Sequence, residues 1–332
     1  MELLTVLLVG CGNIAGGFDT GRALSSLPRT HAGAYTAHGG YRLAACIEPD
    51  EERRLAFMEH WRIPLGYADF DDLASQALAF DVVSICSPTQ AHYNNTLRAL
   101  AFAPQLIFCE KPICANIELA EELVRRCKTA RVQLAVNHNR RWDPDVVRLK
   151  SELASGLWGG VRSASGYYNK GALNNGSHMV DLLQDLLGPL TLLHTGTPIP
   201  DYISEDPSIP AMLVSASGIP VSLNCGHADD YSLFELELVT ERGVLTMEDG
   251  GLCWRVRTVG SSPQFPGYRA LLSGNAVAGH YLHTMTAAAA NIYGALTNGQ
   301  QLASTGDTAL EAQRLCYAIS QNAGKGIDAP RT

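Results

Sequence analysis

Leu106-Ile107-Phe108-Cys109-Glu110-Lys111-Pro112 is an apolar run that ends abruptly in an acid, a base and a proline. A short unbroken apolar run fits a strand buried on both faces, as in a parallel sheet. Open α/β sheets bind ligands beyond the carboxyl ends of their strands. The stretch therefore predicts an ammonium, Lys111, at the rim of a ligand crevice, with Pro112 stiffening the turn that carries it. Taken alone, Glu-Lys-Pro also fits a solvated acid and base after any strand. The flanking sequence decides between the two.

Upstream, Leu3 to Val9 is a β-prone run that leads into Gly10-Cys11-Gly12-Asn13-Ile14-Ala15, a G-x-G-x-x-A pattern directly after a strand. Its glycines allow a tight turn and close backbone approach to a pyrophosphate, and Ala15 allows close helix–strand packing. Gly10, Gly12, Asn13 and Ile14 are the expected phosphate-binding residues. Gly16-Gly17-Phe18-Asp19-Thr20-Gly21 and the stretch to Pro28 break the helix that should follow, and the next helix is expected over Thr30 to Ala37 with Thr30 as its cap. An insertion of roughly ten residues thus separates loop and helix, compared with the usual fingerprint. Leu43 to Ile47 reads as the second strand and ends in Glu48, whose carboxylate suits ribose hydroxyls and repels a 2′-phosphate. That favours NAD and leaves NADP open.

Asp81 to Cys86 is a third strand, and it ends in Ser87-Pro88-Thr89-Gln90-Ala91-His92, a strand-to-helix turn on the ligand side. His92 fits a capping or packing histidine as well as a functional one. Helices over Glu51 to His60, from Asp69, up to Ala99 and over Ile117 to Cys127, with a strand over Val132 to Val136, complete an alternation that means a doubly wound parallel (Rossmann) sheet. This domain is assigned to residues 1–137.

Residues 138–332 read differently. A helix over Pro144 to Gly156 and a strand over Val161 to Tyr168 precede Tyr167-Tyr168-Asn169-Lys170-Gly171, which suits a sugar ring and a structural turn equally well. Asn174-Asn175-Gly176-Ser177-His178 leads a helix to Leu187, with Asp181 on the face of His178. Thr195 to Ala211, with four prolines, reads as a loop, and five strands follow between Met212 and Thr258 without intervening helices. The expectation is an α+β domain with a large open, mostly antiparallel sheet. The closing helices, His280 to Leu296 and Thr308 to Ala323, are free to pack back on the first domain. One sheet face is covered by the helix around His178; the other, if apolar, calls for a homodimer or homotetramer.

Composition narrows the function classes. With 46% hydrophobic and 17% charged residues in a chain of 332, disorder and coiled coil are excluded. A net charge of −8 without a Lys/Arg run argues against nucleic acid. No apolar run reaches the roughly eighteen residues of a membrane span, and Glu2 stands where a signal peptide would be basic. Nine cysteines without C-x-x-C spacing read as reduced core thiols of a cytoplasmic protein, and ten scattered histidines predict no metal site.

Gly10-x-Gly12, Ser87-Pro88 followed by His92, Glu110-Lys111-Pro112, Asn139-Arg140-Arg141-Trp142-Asp143-Pro144, and Gly176-Ser177-His178 followed by Asp181 occur in that order. In this series the chain resembles the Gfo/Idh/MocA oxidoreductase family through its first half and just beyond. The resemblance implies a small-molecule dehydrogenase that moves hydride between NAD and a secondary alcohol or ketone of a sugar, cyclitol or nucleotide-linked sugar. Lys111 and His178 would be the catalytic pair beside the nicotinamide. Ser87, Pro88, His92 and Glu110 would line the cofactor, and Arg141, Tyr168, Lys170, Asn174 and Asp181 the substrate. One position departs from the family, whose more frequent pattern is Asp-x-Gly-x-His. Asn174 stands in the acid's place, and an amide cannot exchange a proton as a carboxylate does. The rival expectation is therefore a cofactor-binding regulator that has lost turnover.

Overall fold

The structure, a computed structural model, describes residues 3–23 and 26–324. In chain order it runs β1 (Leu4–Val9), α1 (His31–His38), β2 (Tyr41–Ile47), α2 (Glu51–Trp61), β3 (Leu65–Tyr67), α3 (Phe70–Ala74), β4 (Val82–Ile85), α4 (Thr89–Leu100), β5 (Leu106–Cys109), α5 (Ile117–Ala130) and β6 (Gln133–Val136). Next come α6 (Pro144–Ala154), β7 (Val161–Tyr168), α7 (Gly176–Leu187), β8 (Leu190–Thr195), β9 (Ile199–Ile203), β10 (Asp206–Ser208), β11 (Ala211–Ser215) and β12 (Pro220–Cys225). The chain ends with β13 (Phe234–Thr240), β14 (Gly243–Glu248), β15 (Cys253–Ser261), β16 (Arg269–Leu271), β17 (Ala276–Ala278), α8 (Thr284–Asn298) and α9 (Gly306–Asn322). Two compact units divide it, Met1–Asp143 with Leu282–Leu310, and Pro144–Tyr281 with Glu311–Thr332.

The first unit is built on a six-stranded parallel sheet ordered β3-β2-β1-β4-β5-β6. All four residues of β5 are buried, as an unbroken apolar run requires, and each such side chain contributes roughly 1.5–3 kcal/mol. The three-residue edge strand β3 carried too short a pattern to be read from the sequence. Strand order reverses between β1 and β4, the place where open α/β sheets bind ligands. The expected insertion is present. Gly16 N–H donates to Gly12 O and Phe18 N–H to Asn13 O, the winding ends in a 3-10 turn over Gly17–Asp19, and α1 begins only at His31. Asp19 fastens the inserted segment: its carboxylate accepts from Arg29 N–H and Thr30 N–H and, at 2.6 Å, from the Thr30 hydroxyl. Thr30 in turn caps α1 by accepting from Gly33 N–H.

The second unit carries a nine-stranded mixed sheet ordered β16-β15-β14-β13-β7-β12-β11-β8, with β17 paired to β15. Its pairs are antiparallel apart from β7–β12. Two glycines let α7 lie close on β7. A Cβ at Gly166 would stand 2.7 Å from Met179, and one at Gly176 would stand 2.8 Å from the Tyr168 ring. The loop expected over Thr195 to Ala211 is corrected: it contains β9 and β10, an antiparallel hairpin. Two of its prolines, Pro200 and Pro207, lie within this separate two-stranded ribbon, where a missing N–H costs nothing to a larger sheet. On the outer face of the sheet Ser165 on β7 stands between Ser222 and Glu237, and Glu237 faces Thr246, so this row is polar, while Met212, paired with Ser222 on the same face, is exposed.

Candidate active site

In the first unit the parallel ladder continues one residue beyond each strand. Glu48 N–H donates to Tyr67 O, Gly10 N–H to Ile47 O, Cys86 N–H to Val9 O, Glu110 N–H to Ile85 O, and Asn137 N–H to Cys109 O, all within 2.8–3.0 Å. Gly10, Glu48, Cys86, Glu110 and Asn137 therefore form one row along the carboxyl edge, and Ser87 and Lys111 follow it directly.

The loop after β1 fits a dinucleotide. Gly10 has φ +89°, and a Cβ there would lie 2.8 Å from Ser87 N, so only glycine can occupy this crossing. At Gly12 a Cβ would meet nothing within 4 Å, which leaves open space over the loop. Glu48, next to it, is buried, and it accepts from Cys11 N–H at 3.0 Å, from Asp50 N–H at 3.2 Å and from the Arg53 guanidinium at 3.4 Å. Three donors on a carboxylate with about four lone-pair sites leave room for a ribose hydroxyl.

Beneath Lys111 lies a polar chain that the motifs alone did not suggest. The Glu110 carboxylate meets His31 Nε2 at 3.0 Å and accepts from the Asn137 amide at 2.6 Å. His31 Nδ1 stands 3.3 Å from the Ser84 hydroxyl, which meets the Tyr35 hydroxyl at 2.7 Å. His31, Ser84, Tyr35 and Asn137 are all buried. Burial alone would raise the Glu110 carboxyl, but His31, Asn137 and the Lys111 charge outweigh it and hold the group below its ordinary range. Burial pushes the Tyr35 hydroxyl up, despite the bond to Ser84. The Lys111–Pro112 peptide is cis. His31 and Asn137 could have been anticipated from position: one opens the helix that Thr30 caps, and the other follows β6 as Glu110 follows β5.

His92 requires a correction. Its ring is buried, with Nδ1 2.8 Å from Pro112 O and Nε2 2.8 Å from Ser87 O. Both nitrogens are spent on backbone carbonyls, so His92 ties the Ser87 turn to the Lys111–Pro112 turn and has no nitrogen left for a cofactor. Ser87 Oγ accepts from Asn95, and the neighbouring Pro88 is exposed at the start of α4. Arg141 is buried in the turn Asn139–Trp142, 3.5 Å from Ala303 O.

In the second unit Lys170 takes a left-handed conformation, and Gly171–Asn175 form a π-turn that runs into α7. His178 lies in the first turn of α7, half-buried, with Asp181 fully buried on the same face. The Asn174 amide donates to Lys170 O at 2.9 Å. Tyr168 is the second correction: its hydroxyl donates to Ile209 O at 2.8 Å and accepts from Ile209 N–H at 3.0 Å, and the side chain is 1% exposed. It is a core anchor rather than a substrate platform. Among the described residues no group of three or more His, Cys, Asp and Glu side chains could hold a metal ion, and no helix is long and apolar enough to cross a membrane.

Residues 4–138 match the model of an oxidoreductase family with an NAD-binding Rossmann fold. The chain is similar to D-glucoside 3-dehydrogenase of Escherichia coli, at 30% identity over 48% of this chain and 41% of that protein. It spans less than half the length of the curated relatives it matches, 45% for another at 30% identity. Two solved structures share the fold at low identity. Levoglucosan dehydrogenase, in complex with NADH and L-sorbose, has a TM-score of 0.79 at 16% identity and 98% coverage of both chains. The WlbA dehydrogenase of Bordetella pertussis, in complex with NADH and UDP-GlcNAcA, has a TM-score of 0.76 at 18% identity and 98% coverage of both.

Proposed function

Because residues 4–138 carry the NAD-binding Rossmann fold of the Gfo/Idh/MocA oxidoreductases, we propose that this chain is an NAD-dependent dehydrogenase. Its substrate in this reading is a secondary alcohol, or in reverse a ketone, of a sugar, cyclitol or nucleotide-linked sugar. One observation carries the proposal: Lys111 directly follows a strand-end row that also holds the glycine loop and Glu48, which supports an ammonium at the edge where a dinucleotide would bind. The glucoside activity of the Escherichia coli relative, and the sugar ligands of the two structural neighbours, support the substrate class.

Gly10, Gly12, Asn13 and Ile14 would hold the pyrophosphate, Glu48 the adenosine ribose, and Ser87 and Pro88 the cofactor's inner edge. NAD, when bound, supplies the hydride acceptor. Lys111 would donate to the substrate oxygen and stabilise its growing negative charge, while the His178 imidazole takes the hydroxyl proton. Asn174 would orient the substrate by hydrogen bonds. Nine free cysteines, mostly buried, support a reducing compartment such as the cytoplasm. A homodimer or homotetramer belongs to the same reading and is checked by light scattering.

The test is absorbance at the nicotinamide band when purified protein and NAD are offered myo-inositol or methyl β-D-glucoside. Wild type is expected to reduce NAD, and Lys111→Ala and His178→Ala each to lower turnover by about 10² or more. Wild type that binds NAD and a sugar yet transfers no hydride in either direction would replace this reading with the regulator.

A further inference from the structure

The β9–β10 hairpin lies outside every motif, yet three of its polar side chains, Asp201, Asp206 and Ser208, reach one segment. Asp206 Oδ1 accepts from Leu173 N–H at 2.8 Å and Oδ2 from Asn174 N–H at 2.7 Å, a two-pronged hold on consecutive amides. Asp201 Oδ2 accepts from Lys170 N–H at 2.6 Å and from the Ser208 hydroxyl at 2.6 Å, and Ser208 Oγ accepts from Gly171 N–H at 3.0 Å. The other oxygen of Asp201 accepts from Tyr202 N–H and Ala228 N–H. Four backbone N–H groups between residues 170 and 174 are thus satisfied from the hairpin.

These amides open a helical stretch. The first N–H groups of a helix have no partner within it, and an acid there satisfies them and complements the positive end of the dipole. The hold is close: a Cβ at Gly171, whose φ is +94°, would come within 2.2 Å of Asp206 Oδ2. Burial would raise the Asp201 carboxyl, but Ser208 and the surrounding backbone N–H groups outweigh it and keep it below its ordinary range. We infer that Asp206 and Asp201 are positioning residues for the Lys170–His178 segment. They fix where the Asn174 amide and the His178 imidazole stand, and so set how the sugar alcohol is held. This rests on the proposed role of His178, and neither aspartate touches the reacting atoms.

Asp206→Asn tests it. The substitution keeps size and shape but turns a donor toward one of the two N–H groups. With saturating NAD and myo-inositol or methyl β-D-glucoside as the probe, KM for the probe is expected to rise about tenfold while NAD affinity stays at the wild-type value. A purely structural role would reduce the folded fraction, which lowers the maximal rate and leaves KM unchanged, and that result overturns the inference. Ser208→Ala, which withdraws the acceptor from Gly171 N–H and the hydroxyl donor from Asp201, is expected to show the same effect at about threefold if Asp206→Asn folds poorly. His178→Ala separates the two ideas: if it turns over normally, the proposed function fails. If wild type uses neither probe, amide hydrogen exchange decides. Asp206→Asn should then speed exchange across residues 171–178 at least tenfold with the rest of the chain unchanged, and unaltered exchange overturns the inference.

Discussion

The Glu48 carboxylate accepts the backbone N–H of Cys11 at 3.0 Å, so the acid that follows β2 braces the loop that follows β1. Glu48 then has two tasks, holding the loop and meeting a ribose, and two substitutions separate them. Glu48→Gln keeps an oxygen for the Cys11 N–H and is expected to weaken NAD by less than about tenfold. Glu48→Arg removes the acceptor and brings a cation that suits a 2′-phosphate, so NAD should weaken by about tenfold or more while NADP gains. Fluorescence titration with both cofactors reads the difference. A wild type that prefers NADP would remove the ribose assignment.

His92 spans Pro112 O and Ser87 O, each at 2.8 Å, in a buried position. His92→Phe fills much of the same space but takes away the ring N–H that one of these carbonyls accepts, and a buried group left without its donor costs about 1–3 kcal/mol. The variant should lose about 2 kcal/mol or more in chemical denaturation. If NAD affinity fell with no loss of stability, His92 would have to be returned to the cofactor-contacting residues.

Glu110 gives a pH signature. Its carboxyl lies below the ordinary range when folded, since His31, Asn137 and Lys111 outweigh the opposing effect of burial. A group with a depressed folded pKa stabilises fully above its unfolded value, about 4.3 for glutamate, and the contribution is lost as pH falls through the lower folded value. Wild type should therefore lose stability more steeply than Glu110→Gln below about pH 4.3, where denaturation curves can compare them. Equal slopes would mean that the His31–Glu110 contact contributes nothing to folding.

The first unit was legible because a parallel sheet buried on both faces writes itself as apolar runs, and because a glycine, an acid or a base interrupts several of them at the strand end. Glu110 and Lys111 were placed at the end of β5 that way. The position of His31 at the start of α1 was legible, but its pairing was not: His31 reaches Glu110 from 79 positions away, a contact that only the folded sheet creates. Tyr168 misled for a related reason, since an aromatic beside a polar turn reads alike whether its hydroxyl faces a ligand or the Ile209 backbone. The hairpin that carries Asp201 and Asp206 was hidden by its prolines and short strands, which follow no period-two pattern long enough to detect. Local pattern reports burial and turns, whereas long-range polar partners are set by topology.

The last prediction concerns Lys111 and His178 together. In the proposed reaction the ammonium stabilises negative charge on the oxygen, and the imidazole removes the proton that exposes that charge, so each group acts on what the other produces. Independent contributions would multiply, and a double mutant would then lose the product of the two single effects. Groups that act as one unit behave otherwise, because once either is gone the other has little left to stabilise. Lys111→Ala/His178→Ala should therefore be little worse than the poorer single mutant, while NAD binding survives in all three, since the glycine loop and Glu48 are untouched. Asn174→Ala should chiefly raise KM, as expected of an amide that orients without exchanging protons. Turnover measured at saturating NAD across the four proteins gives the coupling directly. Fully multiplicative losses would show that the two residues serve separate steps, and wild-type rates in both single mutants would remove the mechanism.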